Sequence, residues 1–239
     1  MRLFNKTTLS CLVFCTVSAT MLAQGNLSAP YSVVDGKVAL SYFQSLDNPK
    51  TAEGIFLNAL YYIKDGQKRD EEGNLPATSV DYDTYQFTTE LAINSSQTNS
   101  VYRYVLSVKV AENIITLLLT DITCESEVAV VKLTKRLAFE KLQPEKKSKH
   151  KEYSEDFAKL AQQSVDKLLE FVSEQTPPTV THYKEIKSGQ VAKGMTEAEC
   201  LFAMGKPVSV NTNGSKTQWI YGAFTHVFFE EGVVATFIR

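Results

Sequence analysis

The chain has 239 residues, 44% apolar and 22% charged, with 11 Gly, 7 Pro and a formal net charge of −2 at neutral pH. This composition excludes a wholly disordered, collagen-like or multi-span membrane protein, and the charge balance points to no nucleic-acid partner. Three His and four Cys argue against a histidine-rich metal centre or a disulfide-knit scaffold.

Arg2 and Lys6 precede a mostly apolar run from Leu9 to Leu22 and a small-residue site, the pattern of a secretory signal peptide over 1–23. Cleavage fits after Ala19 or after Ala23, with Ala23 preferred. Ser10, Thr16, Ser18 and Thr20 interrupt the run, which falls short of the roughly 20 apolar residues a spanning helix needs. No other stretch is long and apolar enough, so no transmembrane span is expected after cleavage. Cys11 follows Thr8-Leu9-Ser10 and Cys15 follows Phe14, so neither sits in a lipobox and no lipoprotein anchor is expected. The mature chain would keep Cys124 and Cys200, expected as unpaired, buried thiols in separate units.

Thr176-Pro177-Pro178-Thr179 cannot continue a helix and stiffens an extended connection. It divides the mature chain into a first unit, 24–175, and a second, 180–239. In the first, residues 36–43 (GKVALSYF) read as a strand. Asn48-Pro49 then opens a helix over 50–64, with Ala52, Phe56, Ala59, Leu60 and Ile63 on one face and Asp65-Gly66 at its end. After a polar loop to Asn74 come strands at 85–93 and 101–110. In the latter Tyr102, Tyr104, Leu106, Val108 and Val110 alternate with a largely polar face, which suits an antiparallel sheet. Glu112-Asn113 turns the chain into 114–122, 128–133 suggests a further strand, and a long helix carries Tyr153, Phe157, Leu160, Leu168 and Phe171 on its inner stripe. The order β-α-β-β-β(-β)-α predicts an α+β fold: an antiparallel sheet with helices on one face, not a doubly wound nucleotide fold.

The second unit opens with a short helix near Tyr183–Lys187. Thr196-Glu197-Ala198-Glu199 then forms a capping-box pattern, and Gly205 and Pro207 stop the helix it starts, giving 197–204. Three strands follow near 217–222, 224–229 and 233–238, with Gly222 and Glu231-Gly232 at the turns. The ordered set Gly194-Met195-Thr196, Met204-Gly205-Lys206-Pro207, Trp219-Ile220-Tyr221, Val227-Phe228-Phe229 and Gly232-Val233 resembles the BamE/SmpA/OmlA-like domain of bacterial envelope proteins over about 185–239. That resemblance implies two helices on a three-stranded sheet, serving as a non-catalytic interaction module in the periplasm or at the outer membrane. Residues 31–175 more loosely resemble a secreted bacterial domain family of unknown function whose fold is like that of the TATA-binding protein (TBP). The carriers are the GKVALSYF strand, the Pro49-opened helix, the 101–110 strand and Phe139-Glu140-Lys141-Leu142. A fold name does not carry DNA binding with it.

His150, His182 and His226 are scattered without ligands at metal spacing, and no G-x-S-x-G elbow or phosphate-cradling Gly loop is present. Cys200 falls on the apolar side of a capped helix, and the pairs Asp81/Asp83 and Glu197/Glu199 read as surface carboxylates. No catalytic residue, cofactor site or metal site is therefore expected, and the chain does not read as an enzyme. Two binding surfaces do stand out. The final sheet is apolar on both faces while its helices cover only one; Trp219, Tyr221, His226 and Phe228 are its candidate partner-binding residues, with Trp219 expected to be largely buried. The other face must meet the first unit or a partner. Lys132, Lys135, Arg136, Lys141, Lys146, Lys147, Lys149 and Lys151 outnumber Glu140 and Glu145, and Lys146, Lys147, Lys149 and Lys151 form a candidate patch for anionic surfaces. The expected function is binding or assembly of an envelope protein or outer-membrane component. The competing expectation is a secreted inhibitor of an extracellular enzyme, since a β-lactamase inhibitor uses the same helix-helix-sheet unit in tandem.

Overall fold

The structure is a computed structural model that describes residues 30–46, 50–70, 73–128, 133–142 and 147–239. The signal peptide and its cleavage sites, the Asn48-Pro49 break, Lys132 and Lys146 lie outside the described residues.

Strands β1 (Ser32–Val34) and β2 (Lys37–Ser45) form a hairpin. Its turn residues Asp35 and Gly36 both have left-handed φ, 51° and 77°, which a two-residue type I′ turn demands. Helix α1 (Ala52–Gly66) starts where Thr51 accepts from the Gly54 amide at 3.0 Å. Then follow β3 (Thr78–Asp81), β4 (Gln86–Ser95), β5 (Ser100–Ala111), β6 (Ile114–Val128), β7 (Leu133–Ala138), one 3-10 turn and the long helix α2 (Ser148–Glu174). The sheet is antiparallel, in the order β1-β2-β6-β5-β4-β3, with β7 beside the far half of β6. The 128–133 strand is displaced: Val128 ends β6 and Leu133 begins β7. The sequence reading missed β1 and β3, which are only three and four residues long, too short to show an alternation.

β6 is longer than its apolar run because a bulge lies within it. Asp121 adopts φ 52°, and the register with β5 shifts between Arg103 and Val105. The extra residue re-aims the strand. Leu117 and Leu119 face the core before it and Ile122 and Cys124 after it, while Asp121 turns outward to Lys37 at 2.6 Å.

α1 and α2 cover one face of this sheet, burying Phe56, Leu60, Phe157 and Val165 against Tyr102, Leu106, Ile115 and Leu117. The buried stripe of α2 is Tyr153, Phe157, Ala161, Val165, Leu168 and Val172; Leu160 and Phe171 flank it half-buried. The C-terminus of α2 is capped by α1 and by Lys50, two residues before it. Lys50 Nζ donates to the carbonyls of Val172, Ser173 and Gln175 at 2.5, 2.6 and 2.8 Å, and Asn58 reaches Gln175 O at 2.7 Å. A cation there also complements the helix dipole.

The second sheet has four strands where three were expected: β8 (Ser209–Asn213), β9 (Lys216–Ile220), β10 (His226–Glu230) and β11 (Val233–Ile238), in the order β11-β10-β9-β8. Ahead of it, α3 (Tyr183–Lys187) and α4 (Glu197–Met204) form as the sequence predicts, and both halves of the capping box are made. α4 lies between this sheet and α1. Phe202 meets the Tyr61 ring edge-on, Lys64 Nζ donates to Phe202 O at 2.6 Å, and Lys206 Nζ donates to Asp65 O at 2.6 Å. Pro177 sits so close to α1 that a Cβ on Gly54 would come within 2.8 Å of its Cγ. Gly205 is required at the end of α4, since its φ is 73° and a Cβ there would lie 2.6 Å from Leu75. The hydrophobic core runs unbroken from Val38 to Val234.

Candidate functional site

Strand register divides the candidate residues of the second sheet between its two faces. Trp219 pairs with Val227 and Val210, so its side chain shares the inner face with Val227. It is 8% exposed, with its ring centroid 4.8 Å from Phe229 and 6.4 Å from Tyr221. Tyr221 is half-buried and donates to Gly205 O at 3.1 Å. His226 and Phe228 belong to the other face, with rings stacked at 6.3 Å. Among the described residues no helix covers this face. The four candidates are therefore two pairs: Trp219 and Tyr221 build the core, while His226 and Phe228 look outward.

The outer face also holds residues that the sequence reading passed over. Gln218 pairs with Phe228, and Ile220 and Ile238 flank His226. A polar ladder crosses three strands, from Asn211 Nδ2 to Gln218 Oε1 at 3.3 Å and from Gln218 Nε2 to His226 Nδ1 at 2.8 Å. A shallow depression of about 470 Å³ lies here, lined among others by Asn211, Lys216, Gln218, Phe228 and Thr236. Ile238 on this face is 56% exposed and Phe224 in the 222–225 turn 81%, whereas the exposed Val210 and Phe237 pair with Trp219 and Val227 and so belong to the inner face. Alternation was the available signal for Ile220 and Ile238. β8 carried a weaker one, the Asn213-Gly214 pair of a hairpin turn.

The basic candidates gather at the start of α2. Lys147 is its N-cap, without a side-chain cap, and no acidic residue lies in the first turn. Lys147, Lys149 and Lys151 are exposed; Lys149 lies over the Tyr153 ring at 5.5 Å, and Lys151 faces Glu155 at 3.7 Å. Cations at a helix N-terminus oppose the dipole, so this end carries concentrated positive potential.

The buried polar groups serve structure. Burial alone would raise the carboxyl of Glu199, yet amides of Thr181, Thr196 and His182, with the His182 ring, hold it down at about 2. Its oxygens lie 2.6 Å from Thr181 N, 2.9 Å from His182 N and 2.8 Å from Thr196 N. Asp156 accepts from Tyr102 and Thr98 at 2.8 and 2.9 Å, tying α2 to β5 and to the β4–β5 turn. Asp81 closes its own turn by accepting from Asp83 N and Thr84, and Asp83 pairs with Lys187 at 2.8 Å. Cys124 and Cys200 are free and buried, and burial pushes the Cys200 thiol up to about 12. Among the described residues no group of three or more His, Cys, Asp or Glu could hold a metal ion, and no helix is long and apolar enough to cross a membrane.

A cleft of about 500 Å³ opens between α1 and α2 above β4 and β5, lined by Tyr61, Tyr62, Ile93, Tyr104, Leu168 and Phe171 among others. Phe171 packs against both tyrosines, with centroids 6.3 and 5.2 Å apart. Its walls are mainly apolar, and Asp65 and Lys167 stand exposed at its margin.

No family model matches the chain, and no curated protein matches it. Among solved structures it is similar to a TBP-like protein from Parabacteroides distasonis, at 12% identity and a TM-score of 0.50, over 59% of this chain and 96% of that one. A DUF4468 family protein from Bacteroides ovatus aligns at 12% identity and a TM-score of 0.46, over 62% of this chain and 94% of that one. The first likeness agrees with an α+β, TBP-like fold. Neither of these two is a BamE/SmpA/OmlA-like domain.

Proposed function

We propose that the protein is a non-enzymatic binding protein of the bacterial envelope, exported by the 1–23 leader, which holds an envelope protein or outer-membrane component against the outer face of its second sheet. The observation that carries this reading is the outer face of the second sheet, where Ile238 is exposed and Phe228 half-buried, with the exposed Phe224 in the 222–225 turn. Exposed apolar clusters of this kind mark interaction sites on monomers. The BamE/SmpA/OmlA-like motif set over 185–239 supports service in the periplasm or at the outer membrane. The structural use of Glu199, Asp156 and both cysteines supports a role without catalysis. The basic start of α2 supports a second, electrostatic contact with anionic surfaces. Nucleic acid is not proposed as a partner, because Lys216 on the outer face is paired with Glu230 at 3.6 Å and no basic stripe crosses that face.

The test is retention of envelope components on immobilised protein. Wild type should retain a component that Phe228→Ala and Ile238→Ser lose, while variants of the first sheet's open face retain it. Equal retention by all variants would refute the assignment of the face. The same open face favours one second reading, inhibition of an extracellular enzyme; dose-dependent inhibition of a secreted hydrolase, lost in Phe228→Ala, would select it.

A further inference from the structure

The second sheet ends on one side in β8, which among the described residues pairs only with β9. All five β8 residues, Ser209-Val210-Asn211-Thr212-Asn213, are exposed. The strand contains no charge and no proline, and its register with β9 runs without a bulge. Those are the devices by which monomeric proteins keep an edge from pairing, and other strand edges of the chain use them or are covered. β11 is crossed by the 194–196 segment: Gly194 N donates to Val234 O at 2.9 Å and Val234 N to Met195 O at 2.8 Å. β3 is four residues long and ends in Asp81, β1 is three residues long, and β7 carries Lys135 and Arg136.

From this contrast we infer that β8 pairs with β8 of a second copy of the chain, antiparallel about a two-fold axis, joining two four-stranded sheets into one. A self-pairing strand must complement itself, and β8 does so in a register centred on Val210. Val210 then opposes its own copy, Val208 opposes Thr212, and Ser209 opposes Asn211. Val208, just before the strand, and Val210 within it are 58% and 51% exposed in the single chain, so both are free to be covered at the seam. No like charges meet across it, since no residue from Val208 to Asn213 is charged. One five-residue strand pair buries less than the roughly 1,200 Å² of a stable interface, so the dimer is weak and concentration-dependent. It leaves His226 and Phe228 open and does not depend on the envelope reading.

Sedimentation velocity of the full chain without its leader, from micromolar to millimolar concentration, tests this directly. Wild type should shift from monomer to dimer, and Val210→Lys, an exposed substitution whose folding is checked by Trp219 emission, should stay monomeric. Under mild oxidation Val210→Cys should cross-link to a dimer on a non-reducing gel, whereas Thr212→Cys, facing Val208, should not. A wild type that stays monomeric throughout, or a Val210→Lys variant that dimerises as wild type does, overturns the proposal. Cross-linking of Thr212→Cys in place of Val210→Cys overturns the register.

Discussion

Glu199 holds the segment after the Pro-Pro connection onto α4, because its carboxylate accepts from two backbone amides of that segment and from its own N-cap. Glu199→Gln leaves those donors facing an amide and should lower stability by about 3 kcal/mol at neutral pH, as breaking a buried ionic set does. The folded carboxyl titrates near 2 against an ordinary 4.5, so its stabilisation is complete above about 4.5 and is lost as the pH falls towards 2. Urea midpoints across that range should fall for wild type and stay flatter for Glu199→Gln. Lys64 behaves in the opposite sense. Burial lowers its amine to about 8 from 10.5, so the unfolded chain binds the extra proton between those values and stability rises with pH across them. Relative to Lys64→Met, wild type should gain about 2 kcal/mol between pH 7.5 and 9.5 in denaturant titrations. No such relative gain would mean that the amine is solvated.

At the scale of elements, α2 begins against its own dipole. Lys147→Asp supplies the missing N-cap and a favourable charge, and should raise stability by about 1 kcal/mol in thermal melts. If the lysines serve anionic surfaces, the same variant should bind phosphatidylglycerol vesicles more weakly than wild type, and wild-type binding should fall with salt. A stabilised variant with unchanged vesicle binding would separate the helix end from that role. Elements with chemical punctuation at both ends were the legible ones. α4 was bounded by Thr196, Glu199 and Gly205, and the β10–β11 turn by Glu231-Gly232, whose φ of 52° and 79° are the paired left-handed values of a type I′ turn. β8 was not legible, because Ser209-Val210-Asn211-Thr212-Asn213 has little apolar content and gains its strand form from pairing with β9. The reach of β6 beyond Ile122 was hidden by the Asp121 bulge, which breaks the alternation a strand is read from. The site was half legible. Aromatic content drew attention to the second sheet, but only register shows that Trp219 turns inward and Phe228 outward.

For the whole molecule, α4 is the shared layer, with α1 on one side and the second sheet on the other. A helix that completes two cores couples them. Trp219 emission, which reports the second unit alone, and far-UV circular dichroism, dominated by α1 and α2, should therefore give one urea midpoint. Separated midpoints would mean that the units fold independently across the 176–179 connection. The same layering commits the inner sheet face to the fold, and the proposed binding surface is the outer face. The most direct test is photo-crosslinking in producing cells, with a benzophenone amino acid at Phe228 or Ile238 and, as control, at Phe43, which is 82% exposed on the open face of the first sheet. The account predicts a discrete higher-mass adduct with an envelope component from positions 228 and 238 and none from position 43. Adducts from position 43 alone would place the working surface on the first sheet and contradict it.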